Sequence, residues 1–326
     1  MTERSIVVGV DGGGTKTHVC VATTAGEVLG FTTGGCANWE TAGLDGVADE
    51  LATALDAALT SAGVAPHDLT ASAFCLAGMD WPSDAGRLKP VLANLGLGGT
   101  VTLTNDSFAA LRAGTPDPFG CVSVAGTGGV CAGKNRRGES ARTMAIAIGE
   151  ASGAWGLVRG ALDAVAAAHH ASGPPTALTE RLVASADSSD IEAYFEGLSR
   201  GEVRVDAGFA TEVFAAADDG DEVACTVAAV CGAQHGRDLA GVVRRLGMAD
   251  DTFDVVLAGG VHTAANPVFS EAFAQEVHTL APAARLRTLA APPVAGAVLL
   301  AIEAADIDAS GLHDTVTHAV TTGAAS

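Results

Sequence analysis

A carboxylate, three glycines and two hydroxyls lie together near the start of the chain, in the run Asp11-Gly-Gly-Gly-Thr-Lys-Thr17. Glycine has no Cβ, so the backbone can turn sharply there and its N–H groups can approach an anion. Two common phosphate-binding patterns, GxxxxGK[ST] and a GxGxxG that opens a helix, are both absent. A glycine-rich hairpin tip without any ligand would have the same composition. This run alone therefore leaves an anion site and a plain turn both open.

Three later segments repeat the combination of an apolar run followed by polar or glycine residues. Asn105-Asp106 ends a short run rich in Val and Thr, Gly126-Thr127-Gly128 follows Cys121 to Ala125, and Gly259-Gly260 follows Phe253 to Ala258. Each segment alone is a weak signal. Four such segments in this order along one chain are specific.

Short strands are predicted to carry these residues at their ends. Ile6 to Val10 is typical of a strand that delivers Asp11 to its end, and His18 to Thr23 of the returning strand of a hairpin. A helix-compatible stretch, Ser107 to Arg112, follows Asp106 directly. Further strands are predicted at 27–33, 71–76 and 130–133, and further helices at 44–62, 84–95, 161–171, 176–185, 191–198, 222–246 and 266–277.

The Pro116-Asp-Pro118 turn divides the predicted elements into two domains. Residues 1–116 would contain the first glycine run and Asp106, and residues 117–326 the other two glycine segments. The order of strand, glycine turn and strand occurs in both halves as a motif, without repeated sequence. Between residues 153 and 247 the chain is mostly helical, which predicts a helical insertion in the second domain.

Composition excludes several classes of protein. The 326 residues carry 38 acidic and 18 basic side chains, a net charge of −20 and no Lys or Arg cluster, so no nucleic-acid partner is expected. No apolar stretch is long enough to cross a bilayer and no secretory signal begins the chain, so we expect no membrane association and a cytoplasmic location. The seven cysteines include no CxxC pair, which argues against a zinc or iron–sulfur site.

Together these motifs resemble those of the superfamily of sugar kinases, actin and heat-shock chaperone ATPases, and within it the N-acetylglucosamine kinase-like branch of the BadF/BadG/BcrA/BcrD ATPase family. The matching motifs are Asp11 to Thr17 as first phosphate loop, Asn105-Asp106 as connecting acid, Gly126 to Gly128 as second phosphate loop and Leu257 to Gly260 as adenosine loop. The resemblance implies an α/β fold of two ribonuclease H-like (actin-like ATPase) domains, with an interdomain nucleotide cleft and a helical insertion in the second. It implies ATP and Mg²⁺ as cofactors.

The resemblance also assigns roles to individual residues. Asp106 is expected to be the catalytic general base, although an Asp before a helix is also a favoured N-cap. Asp11 is expected to hold Mg²⁺ through water, because hard cations prefer carboxylate oxygens and Mg²⁺ keeps much of its hydration. Lys16 could contact phosphate or face solvent. The residues expected to bind ATP are Gly12, Gly13, Gly14, Thr15, Lys16, Gly126, Thr127, Gly128, Gly259 and Gly260.

The sugar side departs from the family pattern. Asn38 matches a family position that hydrogen-bonds the sugar, and Asp106, Thr127 and Gly128 are expected to reach the sugar as well. The family expects Gly-Asp-Glu-Gly-Ser-Gly, whereas this chain has Gly149-Glu-Ala-Ser-Gly153, which places Gly149 where the sugar-binding Asp belongs. Glu150 could replace that carboxylate one position along, or the acceptor could be a different sugar.

These residues favour a kinase that transfers phosphate from ATP to a hydroxyl, expected to be the 6-OH, of an amino sugar such as N-acetylglucosamine or glucosamine. The alternatives are a kinase of another hexose or a cyclitol, an ATPase that activates a dehydratase or reductase as in other branches of the family, and a catalytically silent sugar sensor. We expect a homodimer, with the sugar and ATP as small-molecule partners.

Overall fold

The computed structural model describes residues 5–144 and 152–323. The strands are β1 (Ile6–Gly12), β2 (Thr17–Thr23), β3 (Val28–Gly34), β4 (Ala71–Leu76), β5 (Thr100–Thr104), β6 (Gly120–Ala125), β7 (Gly129–Lys134), β8 (Ser140–Arg142), β9 (Asp254–Ala258) and β10 (Arg285–Thr288). The helices are α1 (Trp39–Ala62), α2 (Asp84–Ala93), α3 (Ser107–Gly114), α4 (Gly153–His169), α5 (Leu178–Ser185), α6 (Ile191–Arg200), α7 (Ala210–Asp218), α8 (Glu222–Leu246), α9 (Gly260–Thr263), α10 (Pro267–Leu280), α11 (Pro293–Ala304) and α12 (His313–Gly323), with 3-10 turns at Pro66–Asp68, Ala207–Phe209 and Ser310–Leu312.

The chain divides into two compact units. The first comprises Met1–Val122, Gly133–Glu139 and Leu289–Ser326, and the second Ser123–Ala132 and Ser140–Thr288. The predicted boundary after residue 116 does not coincide with this division. The segment from residue 289 onward groups with the first unit because α11 packs on α3 and β1.

In the first unit, five strands form a sheet in the order β3-β2-β1-β4-β5. β1 pairs antiparallel with β2 and parallel with β4, and β4 pairs parallel with β5. Because successive side chains of a strand point to opposite faces, Val8 and Val10 pack in one cluster with Leu51 of α1, and Val7 packs in another with Val298 of α11. Both faces are thus covered, and the carboxyl ends of β1, β4 and β5 lie at one edge.

In the second unit, the sheet has the order β10-β9-β6-β7-β8. If the strands of each sheet are numbered by their own chain order and the second sheet is read from β8, both sheets have the order 3-2-1-4-5. The motif repeat seen in the sequence is therefore a repeat of topology. The predicted α/β fold class is confirmed.

Helices of the second unit build its largest apolar cluster. Leu157 of α4, Leu178 of α5, Val213 of α7 and Phe269 of α10 are all fully buried in it. The predicted helical stretch is present, and α8 has the predicted bounds. α4 begins at Gly153 rather than at Ala161.

No helix among residues 5–144 and 152–323 is long and apolar enough to cross a membrane.

Candidate active site

The central part of the predicted first phosphate loop, residues 12–16, leads from the end of β1 to the start of β2. It is closed by a hydrogen bond from the backbone N of Gly13 to the carbonyl of Lys16, at 2.9 Å. A Cβ at Gly12 would lie 2.6 Å from Cδ2 of Leu76 and 3.0 Å from Cβ of Ala37, so any other residue there would have to displace the Leu76 side chain. Gly14, Thr15 and Lys16 are exposed. The loop therefore presents its tip, with the Lys16 side chain, to solvent.

Asp11 lies at the end of β1, between two neighbouring strands. It stands opposite His18 on β2 and in register with Cys75 on β4. Oδ2 of Asp11 is 3.8 Å from Nδ1 of His18, and the two side chains are 17% and 16% exposed. The carboxylate is therefore partly open to solvent beside the first phosphate loop.

Asp106 lies two residues beyond the end of β5, at the start of α3. Its side chain makes no capping hydrogen bond to that helix. The neighbouring Asn105 does so, because its Oδ1 accepts from the backbone N of Ser107 at 3.1 Å and from the Ser107 hydroxyl at 2.5 Å. The Asp106 carboxylate is half-buried.

Burial raises the pKa of the Cys75 thiol well above its usual value, and the carboxylates of Asp11 and Asp106 both raise it further. Both carboxylates therefore act on one atom of β4. This agrees with the parallel pairing of β1, β4 and β5, which brings the ends of these strands to one edge.

Asn38 lies in the β3–α1 loop, residues 35–38, and begins α1. Its Oδ1 accepts a hydrogen bond from the backbone N of Glu40 at 2.9 Å, so the Nδ2 group is the donor that it can offer a ligand. Gly78 packs against it with φ +79°, and a Cβ there would lie 2.5 Å from Oδ1 of Asn38. The indole Nε1 of Trp39 donates to the Gly78 carbonyl at 2.7 Å. Two segments of the first unit thus fix the Asn38 side chain.

Asp80 contacts Asn105, the residue that caps α3, and the sequence analysis did not assign Asp80 to the site. Nδ2 of Asn105 donates to Oδ1 of Asp80 at 3.2 Å. The turn that carries Asp80 is held by Asp84, whose Oδ2 accepts from the backbone N of Asp80 at 2.9 Å. The amide that caps α3 is therefore bonded at both ends, which fixes the backbone on either side of Asp106.

The second phosphate loop, residues 126–128, joins β6 to β7. The backbone N of Gly126 donates to the carbonyl of Gly128 at 2.9 Å. The start of α4 packs directly on this loop, because Ala154 N donates to the Gly126 carbonyl at 2.9 Å and Trp155 N to the Thr127 carbonyl at 3.1 Å. Thr127 and Gly128 are exposed. The loop is thus rigid on one side and open on the other.

The predicted adenosine loop, residues 257–260, lies beside the predicted second phosphate loop. Gly259 has φ +91°, and a Cβ there would lie 2.4 Å from the Ala125 carbonyl, so only glycine allows this close approach. The next turn is fixed by His262, whose Nε2 is 2.8 Å from the hydroxyl of Ser123 on β6. The ends of β6 and β9 therefore meet.

A cleft of about 410 Å³ in the second unit brings these two loops together. That volume lies within the range of small-molecule sites. Its wall is mostly apolar and includes Phe214 of α7 and Val261 of α9. The lining residues are Gly126, Thr127, Ala154, Ala207, Gly208, Ala210, Thr211, Phe214, Gly260, Val261 and Ala264. The 207–214 part of this wall was missed by the sequence analysis, because short apolar residues in a helical stretch carry no motif.

Four of the loop glycines have neither a packing nor a backbone reason to be glycine. A Cβ at each would meet no atom within 4 Å, and none of the four has a positive φ. Room for a ligand close to the backbone is a reason that applies to all of them. These open glycines are Gly14 in the first phosphate loop, Gly126 and Gly128 in the second, and Gly260 in the adenosine loop.

Each unit thus gathers part of the predicted set. The first holds Asp11, residues 12–16, Asn38 and Asp106, and the second holds residues 126–128 with Gly259 and Gly260. Glu150 and Gly149 lie outside the described residues. Among residues 5–144 and 152–323, no group of three or more His, Cys, Asp or Glu side chains could hold a metal ion.

Comparison with known proteins gives a match over most of the chain. Residues 8–301 match the model of the BadF/BadG/BcrA/BcrD ATPase family. An N-acetyl-D-glucosamine kinase of Dictyostelium discoideum is 27% identical, over 92% of this chain and 98% of the relative. An N-acetylmuramic acid/N-acetylglucosamine kinase of Clostridium acetobutylicum is 30% identical over 154 residues, and this match spans about half of either chain, 47% of each.

A solved structure with a similar fold comes from Chromobacterium violaceum and is named as a candidate N-acetylglucosamine kinase. It superposes with a TM-score of 0.68 at 22% identity, over 91% of this chain and 99% of that one. At this identity the likeness concerns the fold.

Proposed function

The chain belongs to the BadF/BadG/BcrA/BcrD ATPase family, and on this basis we propose that it is an ATP-dependent kinase that phosphorylates a hydroxyl, the 6-OH, of N-acetylglucosamine or glucosamine. Both relatives described above are kinases of N-acetylated sugars by name. The observation that carries the proposal within this chain is the division of labour at α3, where Asn105 caps the helix and the Asp106 carboxylate does not.

The cleft of the second unit is the proposed nucleotide site. Its apolar wall, with Phe214 and Val261, suits the face of a purine, and Gly126 and Gly260 leave room for phosphates and ribose against the backbone. Backbone N–H groups of the two phosphate loops would stabilise the negative charge that develops on the transferred group. Lys16 is exposed at the tip of the first loop. We propose that its side chain contacts the phosphates when the nucleotide is bound.

Asp106 is the proposed general base. Its carboxylate would accept the proton of the acceptor hydroxyl while that oxygen attacks the γ-phosphorus and ADP leaves. Asn38 would donate from Nδ2 to an oxygen of the sugar, because its Oδ1 already accepts from Glu40. Thr127, Gly128 and Glu150 complete the proposed contacts to the sugar.

Asp11 in the first unit is the proposed ligand of a magnesium ion. Mg²⁺ prefers oxygen ligands and usually takes one or two carboxylates, with phosphate and water completing its shell. The partly exposed carboxylate of Asp11 lies at the end of β1 beside the open Gly14, so Asp11 would hold the ion through water. When bound, the ion would neutralise charge on the phosphates.

The alternative of an ATPase that activates a partner enzyme has less support. Such activators use cysteines to hold a cluster between subunits. Five of the seven cysteines here are buried and the other two are half-buried, and most of them lie in strands or helices of the core. The positions of the thiols therefore favour the kinase.

A panel of acceptors tests the proposal. N-acetylglucosamine, glucosamine, glucose, N-acetylmuramic acid and a cyclitol are offered with Mg·ATP, and ADP release is measured for the wild-type protein and for Asp106→Asn. We expect turnover that depends on an amino sugar and falls about a hundredfold or more in the variant, the scale for losing a general base. ADP release that ignores every sugar would overturn the proposal. A best acceptor without an amino group would move it to another hexose or a cyclitol.

A further inference from the structure

Thr17 follows the first phosphate loop, is fully buried and begins β2. It has no place in the phosphate contacts described above. Its hydroxyl donates to the carbonyl of Gly35 in the β3–α1 loop, at 2.8 Å. This bond reaches from the hairpin of the first phosphate loop to the loop that carries Asn38.

Two further bonds anchor the β3–α1 loop. Ala37 N donates to the carbonyl of Gly13 at 3.0 Å, which is a second link to the phosphate hairpin. Gly35 N donates to Oε1 of Glu50 at 2.6 Å, which ties the loop to α1 instead. Two of these three anchors therefore come from the phosphate loop and its return strand.

We infer that Thr17 is a positioning residue that couples nucleotide binding to acceptor binding, and this inference rests on the proposed function. An anion bound by the N–H group of Gly14 orders the peptide between Gly13 and Gly14, whose carbonyl accepts from Ala37 N. A loop that is already ordered costs the second ligand less entropy, so each ligand improves the binding of the other. Thr17 carries this effect to Asn38 because it fixes Gly35, three residues before that amide.

A purely structural role for Thr17 makes a different prediction. If the hydroxyl only satisfies a buried carbonyl, its loss lowers stability and leaves the coupling of the two ligands unchanged. Glu50 offers a matched comparison, because it holds the same Gly35 from α1 rather than from the phosphate hairpin. Loss of either bond to Gly35 should loosen the β3–α1 loop and weaken sugar binding. Of these two bonds, only the bond from Thr17 passes the effect of nucleotide binding to this loop.

The test uses Thr17→Val, which keeps the shape and removes the hydroxyl, Thr17→Ser, which keeps the hydroxyl, and Glu50→Gln. Calorimetry measures the Kd of N-acetylglucosamine with and without a non-hydrolysable ATP analogue and Mg²⁺, and the ratio of the two values is the coupling factor. For the wild type we expect a factor of about five or more. Thr17→Val should weaken sugar binding about threefold to tenfold and lower the coupling factor below the wild-type value, while the bond from Ala37 N to the Gly13 carbonyl retains part of it. Thr17→Ser should restore the factor, and Glu50→Gln should weaken binding and keep the factor.

The outcomes separate this inference from the proposed function. Wild-type protein that turns over the sugar, together with a Thr17→Val variant that keeps the full coupling factor, overturns the inference alone. Equal loss of coupling in Glu50→Gln overturns it too, because general loosening of the loop then accounts for the effect. Wild-type protein that neither binds nor phosphorylates any sugar of the panel overturns both. If Thr17→Val does not fold, a Thr17→Ser variant with wild-type coupling and a Glu50→Gln variant without coupling would also contradict the inference.

Discussion

Asn105 holds Ser107 at the start of α3 through two hydrogen bonds, from the backbone N at 3.1 Å and from the hydroxyl at 2.5 Å, both to its Oδ1. Asn105 is therefore the residue whose side chain caps α3, a role that the sequence alone would assign equally well to Asp106. Because Asp106 is not used as the cap, stability and activity should depend on different members of this pair.

Asp106→Asn should abolish most activity and leave stability close to wild type. The change keeps the shape of the side chain and removes the proton acceptor, so we expect sugar-dependent turnover to fall about a hundredfold or more. Asn105→Ala should lower the free energy of unfolding by about 1 kcal/mol, the usual cost of a lost N-cap. Enzyme assays and urea unfolding curves of both variants measure the two effects. An Asp106→Asn variant that is destabilised yet active would place Asp106 in a structural role.

Glycines without packing neighbours give a second prediction, at the nucleotide cleft. Gly126→Val adds a side chain where a Cβ meets no atom within 4 Å, so the fold should tolerate it while the cleft loses room. We expect the KM for Mg·ATP to rise at least about tenfold, which corresponds to about 1.4 kcal/mol of lost binding. The KM for the sugar should change less. Steady-state kinetics with either substrate varied makes the comparison.

Two other glycines serve as controls for that change. Gly259→Ala should impair folding, because this residue has φ +91° and a Cβ there would lie 2.4 Å from the Ala125 carbonyl. Gly241→Ala lies on α8, where a Cβ also meets nothing within 4 Å, and should stabilise the helix by up to about 1 kcal/mol. Full ATP affinity in Gly126→Val would mean that the phosphates do not approach this loop.

Local patterns in the sequence were sufficient to predict most elements. β4 and α8 have the predicted bounds. A short apolar run is typical of a buried strand such as β4, and a long amphipathic stretch is typical of a helix such as α8. Within α1, a first turn from Trp39 is capped by Asn38, and Gly43 then interrupts the helical backbone with φ +73°, so the continuous helix begins at Leu44, as predicted. The short turn before Gly43 carries no apolar periodicity of its own, so the sequence did not predict it.

The division into units and part of the site could not be predicted from the sequence, because both depend on packing between residues that are far apart along the chain. α11 packs on α3, almost two hundred positions earlier in the chain, and on β1, almost three hundred positions earlier, and no local pattern encodes these contacts. The apolar wall of the cleft at residues 207–214 and the bond of Asp80 to Asn105 are likewise formed only by tertiary packing. Motifs identified the backbone loops, whereas the side chains around them required the structure.

Gly78→Ala should impair acceptor binding more than nucleotide binding. Gly78 has φ +79°, and a Cβ there would lie 2.5 Å from Oδ1 of Asn38, so the Asn38 amide must move. Strain at such a backbone position costs about 1 to 3 kcal/mol. We expect the KM for the sugar to rise about tenfold or more with a smaller change in the KM for ATP. Gly86→Ala, on α2 where a Cβ meets nothing within 4 Å, is the matched control. Equal effects on both substrates would indicate general destabilisation.

The second unit should lose stability in mild acid because of two buried histidines. Burial lowers the pKa of His235 to about 3, with a contribution from the neighbouring His262, and burial lowers the pKa of His262 to about 4. Both rings are thus neutral in the folded state, whereas an unfolded chain protonates them below about pH 6.5. The unfolded state then binds more protons, so the stability present above pH 6.5 is lost as the pH falls towards 4.

The size of this effect can be measured with one substitution. Between pH 7 and pH 5, each histidine should cost about 2 kcal/mol of the free energy of unfolding. His235→Leu removes one titrating group from a fully buried position, so its stability should fall about 2 kcal/mol less than that of the wild type over this range. Urea unfolding at both pH values gives the difference, in which contributions of other groups cancel. His67→Gln, at a side chain that is 79% exposed, is the control for replacing an exposed histidine. An identical loss in His235→Leu and the wild type would mean that the buried ring is not what titrates.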